Sequence, residues 1–293
     1  MAETIQAEVI LEAQAQLGEG PIWDGQGQQL LWVDIEAEEV HLLRPDTGQD
    51  RALAIGQMVG AAAVRTAGGF VLAVRDGFAL LDSDSGAVTM IAEVEAGNRL
   101  SRMNDGKCDP AGRFWAGTMA LDFAPGAGSL YRLDPDHRLT LVVPTVTISN
   151  GLGWSPDKRT MYYIDTPTRG VDAFDFEIDT GAIARRRRLI TIPRGAGSPD
   201  GMTVDADGCL WVALWGGSSM HRYTPDGHLD RNVALPAAFI TSGAFGGPNL
   251  DVLYITSAAN PVPAAERSAQ PHAGAVFACH PGVRGLAANE YGG

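Results

Sequence analysis

The 293-residue sequence predicts an all-β fold, a six-bladed β-propeller with four-stranded antiparallel blades. Three observations carry the prediction. A polar residue followed by Gly and a short apolar run recurs about six times, at a spacing of roughly 40 to 50 residues that matches propeller blades. Short segments alternate apolar and polar residues at period two and end in Asp, Gly or Pro turns. Helical periodicity is not sustained anywhere over about a dozen residues. A large β-sandwich would also satisfy the last two observations, but it gives no reason for the opening motif to recur.

Four copies of that motif are clear: "GEGPIWDGQGQQLLWVDI" from Gly18, "NDGKCDPAGRFWAGTM" from Asn104, "SNGLGWSPDKRTMYYIDT" from Ser149 and "PDGMTVDADGCLWVALW" from Pro199. Two weaker copies are "VGAAAVRTAGGFVLAV" from Val59 and "TSGAFGGPNLDVLYITSA" from Thr241. Each reads as a strand, a tight turn and an aromatic-rich second strand. In the fifth unit Asp205, Asp207 and Gly208 close the hairpin. The same "DADG" lacks the later acidic ligands of an EF-hand loop. Trp32, Trp115, Trp211, Tyr162 and Tyr163 fall in second strands and are expected to pack between blades, with Trp215 the one placed to reach a cavity.

Later strands of each unit follow in "EVHLLRPDTG", "GFALLDSDSG", "GSLYRLDPD", "GVDAFDFEIDTG", "SMHRYTPDG" and "GAVFACHPG", each ending in a polar turn. The N-terminal "AEVILEAQAQ" alternates and precedes the first motif, so it is a spare strand. Pairing it beside the strand near Gly274 to Cys279 joins the two termini in one blade and leaves no open edge. Residues 1–293 then form a single domain.

Composition narrows the function. A net charge of -13 repels phosphate backbones and argues against nucleic acid as a partner. The run Arg185-Arg186-Arg187-Arg188 is the exception and reads as a solvated edge strand. No apolar stretch approaches the roughly 18 residues of a membrane helix. The three cysteines, Cys108, Cys209 and Cys279, are dispersed and form no CxxC, which supports neither a disulfide framework nor a zinc knuckle. With no basic-then-apolar N-terminal leader, a cytoplasmic monomer or weak homo-oligomer is expected. G-x-S-x-G and HExxH are absent. The six histidines are scattered and read as surface or turn residues.

The residue before each motif glycine is Glu19, Asp105, Asn150, Asp200 or Ser242, while the second unit supplies only Val59 and Gly60. In a propeller the first strand of each blade lies nearest the axis, so these oxygen-bearing side chains meet at one level around the channel. Taken singly, they are also ordinary turn residues capping strand starts. Taken together, three carboxylates at one axis raise each other's pKa unless a positive charge sits among them. Glu, Asp and Asn oxygens are the ligands that Ca2+, Mg2+ or Mn2+ prefer.

"LGEGPIW", "RMNDGKCDPAGRFWAGTM", "ISNGLGWSPDKRTMYYIDT", "PDGMTVDADGCLWVALWGG", "FGGPNLDVLYITSA" and "HAGAVFACHPGVRGL" resemble the SMP-30/gluconolactonase/LRE family, from about Leu17 to the end of the chain. The resemblance implies a six-bladed propeller that carries one divalent ion on its axis, Ca2+, Zn2+, Mn2+ or Mg2+, and hydrolyses a sugar lactone to the aldonic acid. Carried over by position, it makes Glu19, Asn150 and Asp200 the metal ligands and Asp200 also the proton acceptor and donor. Arg102 and Asn104 match the family's substrate contacts. One departure stands out. Some relatives read "GTMAEE", whose first Glu helps to hold the sugar, whereas this chain reads "GTMALDF". Leu121 takes that place, and the neighbouring Asp122 is the candidate substitute contact. Two alternatives stay open: a calcium-binding regulatory propeller without a catalytic role, and an esterase or organophosphate hydrolase on the same scaffold.

Overall fold

A computed structural model describes residues 3–293. Six antiparallel sheets follow one another along the chain. Their innermost strands are Gly18–Asp24, Val59–Val64, Ser101–Cys108, Ser149–Trp154, Ser198–Val204 and Ile240–Gly246. Each of these packs against the innermost strand of the next blade, and the last packs against the first, so the ring closes. These strands carry Gly, Ala and other small residues where neighbours crowd, and the first, Gly18–Asp24, is buried throughout. The outermost strand of the same blade, Gln49–Ala54, has one face in water and reads as mostly exposed. Burial on both faces is what makes the inner strands apolar without alternation.

The expected closure is present. Glu8–Leu11 runs antiparallel to Val276–Cys279, pairing Glu8 with Ala278 and Val9 with Phe277. It forms the outer strand of the blade that begins at Ile240. One feature departs from a uniform four-stranded plan. Glu3–Gln6 continues the N-terminal alternation and pairs in parallel with Leu229–Ala234, giving the fifth blade a fifth strand. The N-terminal segment therefore fastens two blades to each other, with Ala7 between its two strands.

The tryptophans pack between blades as their placement in second strands predicts. Trp32, Trp115 and Trp211 are fully buried, and Trp115 and Trp211 are held by aspartates of their own hairpin turns. Asp109 accepts from the Trp115 indole at 3.0 Å and from Arg113 at 2.9 Å. Asp205 accepts from the Trp211 indole at 2.9 Å and from Arg222 at 2.7 Å. The four consecutive arginines lie on the exposed outer strand Ala182–Thr191. There Arg186 and Arg188 pair with Asp172, and Arg185 and Arg187 with Asp175. One histidine breaks the surface expectation: His41 is buried, stacks on Trp32 at 3.9 Å and bonds Asp50 at 2.6 Å. Its third-strand position faces the neighbouring indole, which the scattered sequence pattern does not reveal. The three cysteines are free and buried. Among the described residues no helix is long and apolar enough to cross a membrane.

The last ten residues run across one end of the channel. Gly285 bridges Asp205, Tyr291 bridges Arg65, and the Tyr291 hydroxyl donates to Asp134 O at 2.9 Å. Leu286 to Asn289 sit with Ile22, Gly153 and Val204, which lie toward the C-terminal ends of the inner strands. That end of the channel is thus covered by the chain itself, and the opposite mouth carries the motif residues.

Candidate active site at the channel mouth

Every innermost strand breaks register beside its motif glycine. The shifts fall between Glu19 and Ile22, Val59 and Ala61, Met103 and Gly106, Ser149 and Leu152, Pro199 and Met202, and Ile240 and Ser242. A bulge re-aims the side chains around it and ends regular pairing, a common device at functional rims. The glycines admit close neighbours at these bends. A Cβ on Gly151 would lie 2.8 Å from Asp200 O, and one on Gly201 would run into the Ser242 side chain.

The bulges gather Glu19, Arg102, Asn104, Asn150 and Asp200 around one cavity of about 520 Å³. All five side chains are buried. A chain of hydrogen bonds sets the amides. Arg102 Nη1 donates to Asn104 Oδ1 at 2.6 Å and to Met103 O at 2.9 Å. Asn104 Nδ2 donates to Ser149 O at 2.7 Å and to Asn150 Oδ1 at 3.2 Å. Asn150 Nδ2 then donates to Thr166 Oγ1 at 2.9 Å, whose hydroxyl donates to Pro199 O at 2.9 Å. With its amide nitrogen engaged, Asn150 keeps its oxygen on the side of the neighbouring Asn104.

The carboxylates are poorly supplied with donors. Glu19 Oε2 accepts its own strand's Gly20 N–H at 3.0 Å, and Asp105 Oδ1 accepts Gly106 N–H at 2.7 Å. Asp105 Oδ2 is buried without any partner. Burial, followed by the negative charge of Asp105, pushes the Glu19 carboxyl up to about 8. Burial, followed by Glu19 and then Asp105, pushes Asp200 well above the carboxylate range. Burial lowers the Arg102 and Lys107 cations. Lys107 Nζ donates to Met202 O at 2.7 Å, so it links the third blade to the strand that carries Asp200. Buried oxygens that repel one another and lack donors are a fitting set for a hard divalent cation. Among the described residues no three His, Cys, Asp or Glu side chains form a metal-holding group. An ion here would be held by Glu19 and Asp200 together with the amide oxygen of Asn150.

Five of the six site residues expected from sequence therefore share one cavity, and Trp215 reaches it as anticipated. Asp122 does not line it. That residue is exposed on the turn after Phe114–Ala120, where its Oδ1 accepts Ala124 N–H at 3.1 Å. In the third blade Asn104 lines the cavity beside Arg102 and Asp105 does not, because the register shift between Met103 and Gly106 turns Asn104 to the mouth. Ser242 packs against Gly201 and does not line the cavity either. Sequence reasoning missed Gln16, Glu36, Met119, Phe123, Ile148, Thr166 and Asn260. Met119 and Thr166 close the second-strand segments of their repeats, and the others lie on connections outside the repeated motif, where no periodic signal marks them.

Comparison with known proteins places the chain among relatives that share its length and fold. The chain is 40% identical to regucalcin of Danio rerio, covering 99% of each chain. It is 37% identical to a putative sugar lactone lactonase, YvrE, of Bacillus subtilis, over 92% of this chain and 94% of that one. A solved calcium-binding protein, regucalcin, of Agrobacterium tumefaciens superposes with a TM-score of 0.94 at 30% identity, over 99% of both chains. Residues 17–259 match the model of the SMP-30/Gluconolactonase/LRE-like region. The chain belongs to the SMP-30/gluconolactonase/LRE-like family.

Proposed function

We propose that the protein is a metal-dependent sugar lactone hydrolase, opening an aldonolactone to the aldonic acid. The observation that carries the reading is the convergence of Glu19, Asn150 and Asp200 with Arg102 and Asn104 in one buried cavity. The Bacillus subtilis relative, named as a putative sugar lactone lactonase, supports the substrate class. Glu19, Asn150 and Asp200 would hold a divalent ion, which when bound would supply Lewis-acid polarisation of the lactone carbonyl. The protein's own groups do the rest. Asp200 takes a proton from the attacking water and returns it to the ring oxygen as the acyl C–O bond breaks. Arg102 steadies negative charge developing on the carbonyl oxygen. Asn104, locked by its bonds to Ser149 and Arg102, presents a fixed amide to a sugar hydroxyl.

A second reading, a calcium-binding regulatory propeller, draws on the regucalcin names of relatives. The substrate-sized cavity beside the ligand set favours the hydrolase. The test is acid release from a panel of sugar lactones with and without EDTA, on the wild type and Asp200→Ala. Turnover that needs a divalent ion and Asp200 supports the proposal. Ion binding with no turnover on any lactone favours the regulatory reading.

A further inference from the structure

The cavity is unlike on its two sides. On one side Gln16, Glu36 and Asn260 line it, with Asn260 Nδ2 donating to Glu36 and reaching Gln16 Oε1 at 3.4 Å. On the other stand Met119, Phe123 and Ile148. Met119 and Ile148 are paired as an antiparallel bridge, so this wall is built into the backbone. Polar side chains of the blade that carries Met119 are engaged with one another. Thr118 donates to Glu95 at 2.9 Å, Tyr131 donates to Glu95 at 3.1 Å, and the Ser101 hydroxyl also donates to Glu95. Asp122, the one acid on this loop, turns to Ala124 N–H.

Phe123 is the residue that needs explaining. The residue is 61% exposed, and its backbone sits at a φ of 60°, a region that bulky residues rarely adopt. Its N–H donates to Ala120 O at 3.0 Å, which fixes the bend. The turn therefore holds a large apolar side chain at the rim of an otherwise hydroxyl-binding cavity, where water would cover it unless a ligand did.

Resting on the lactonase reading above, we propose that this wall selects a deoxy sugar lactone. Such a substrate keeps hydroxyls toward Arg102 and Asn104 and lays a methyl-terminated edge on Met119, Phe123 and Ile148. A hydroxyl at that edge is desolvated without a partner, whereas a methyl gains apolar burial. Phe123 is then a specificity-determining residue.

The experiment measures kcat/KM for two pairs that differ only in a terminal hydroxyl: L-rhamnonolactone against L-mannonolactone, and L-fuconolactone against L-galactonolactone. The wild type is expected to favour the deoxy member of each pair by about tenfold, the scale on which an apolar pocket discriminates such groups. Phe123→Ser brings the ratio close to one, and Phe123→Leu restores most of it. Circular dichroism confirms folding of both variants. Equal turnover within each pair, or a preference that Phe123→Ser leaves intact, overturns the specificity proposal alone. No turnover of any of the four also overturns the specificity proposal, and it overturns the lactonase reading as well when no other lactone of the wider panel is turned over.

Discussion

Asp200 and Asp205 lie on one hairpin, five residues apart, and both are buried. Their surroundings are opposite. Asp205 accepts from two backbone N–H groups, Asp207 at 3.0 Å and Cys209 at 2.9 Å, and from the Trp211 indole and the Arg222 guanidinium. Asp200 faces Glu19 and Asp105 across the channel mouth, and burial with their charge raises its pKa. The third blade repeats the pattern. Asp109 is bonded by Ala111, Arg113 and Trp115, while Asp105, four residues earlier, leaves one oxygen without a partner. A buried carboxylate surrounded by donors belongs to the scaffold. One surrounded by other carboxylates is costly to the apo fold and marks a place where a cation or a proton belongs.

Swapping the two kinds of aspartate for alanine tests that division. Asp200→Ala should cut lactone hydrolysis by about a thousandfold, within the range of a lost acid–base group. Its thermal midpoint in EDTA should stay level or rise, because a repelled buried charge has gone. Asp205→Ala should do the reverse. It leaves Arg222 buried beside a missing partner and should lose about 3–5 kcal/mol in urea unfolding. Lactone turnover by the folded fraction should change little.

Glu19 sharpens the comparison through pH. Its folded carboxyl sits at about 8 against an ordinary 4.5, so the folded state holds the proton more tightly than the unfolded one. The stability this adds is complete below 4.5 and is lost as pH rises through 8. In EDTA, the thermal midpoint of the wild type should therefore fall relative to Glu19→Gln as pH rises from 4.5 to 8. A saturating divalent ion should remove most of that difference. Parallel pH curves for the two proteins would show that Glu19 is not strained by its neighbours.

The smallest effect concerns the covered end of the channel. Tyr291→Phe removes the hydrogen bond to Asp134 O and should cost about 1 kcal/mol, read by urea unfolding. Turnover should not change, since Tyr291 lies at the end away from the cavity.

Much of the site was legible because it is written in register. Glu19, Asn150 and Asp200 precede a glycine at matching points of three repeats, and matching points of propeller blades meet at the axis. Arg102 and Asn104 came from the wider motif around the third repeat. Asp105 shows the limit of the register argument. It occupies the same motif position as Asp200, yet the bulge in its strand gives the cavity to Asn104. Asp122 shows another limit, since adjacency to Leu121 in sequence does not bring its carboxylate to the cavity. Phe123, Glu36 and Asn260 lie outside the repeat, and their positions depend on how separate connections fold over one mouth.

The amino-acid order by itself determined the all-β class, the six units, the terminal strand that closes the ring and the acidic character of its axis. All of these follow from local alternation and from repetition, which survive in a linear pattern. Only the tertiary structure decided which of two neighbouring polar residues turns inward, that the N-terminal segment staples two blades, and that one wall of the cavity is apolar. Those outcomes depend on bulge geometry and on contacts between residues far apart along the chain, and neither leaves a period to read.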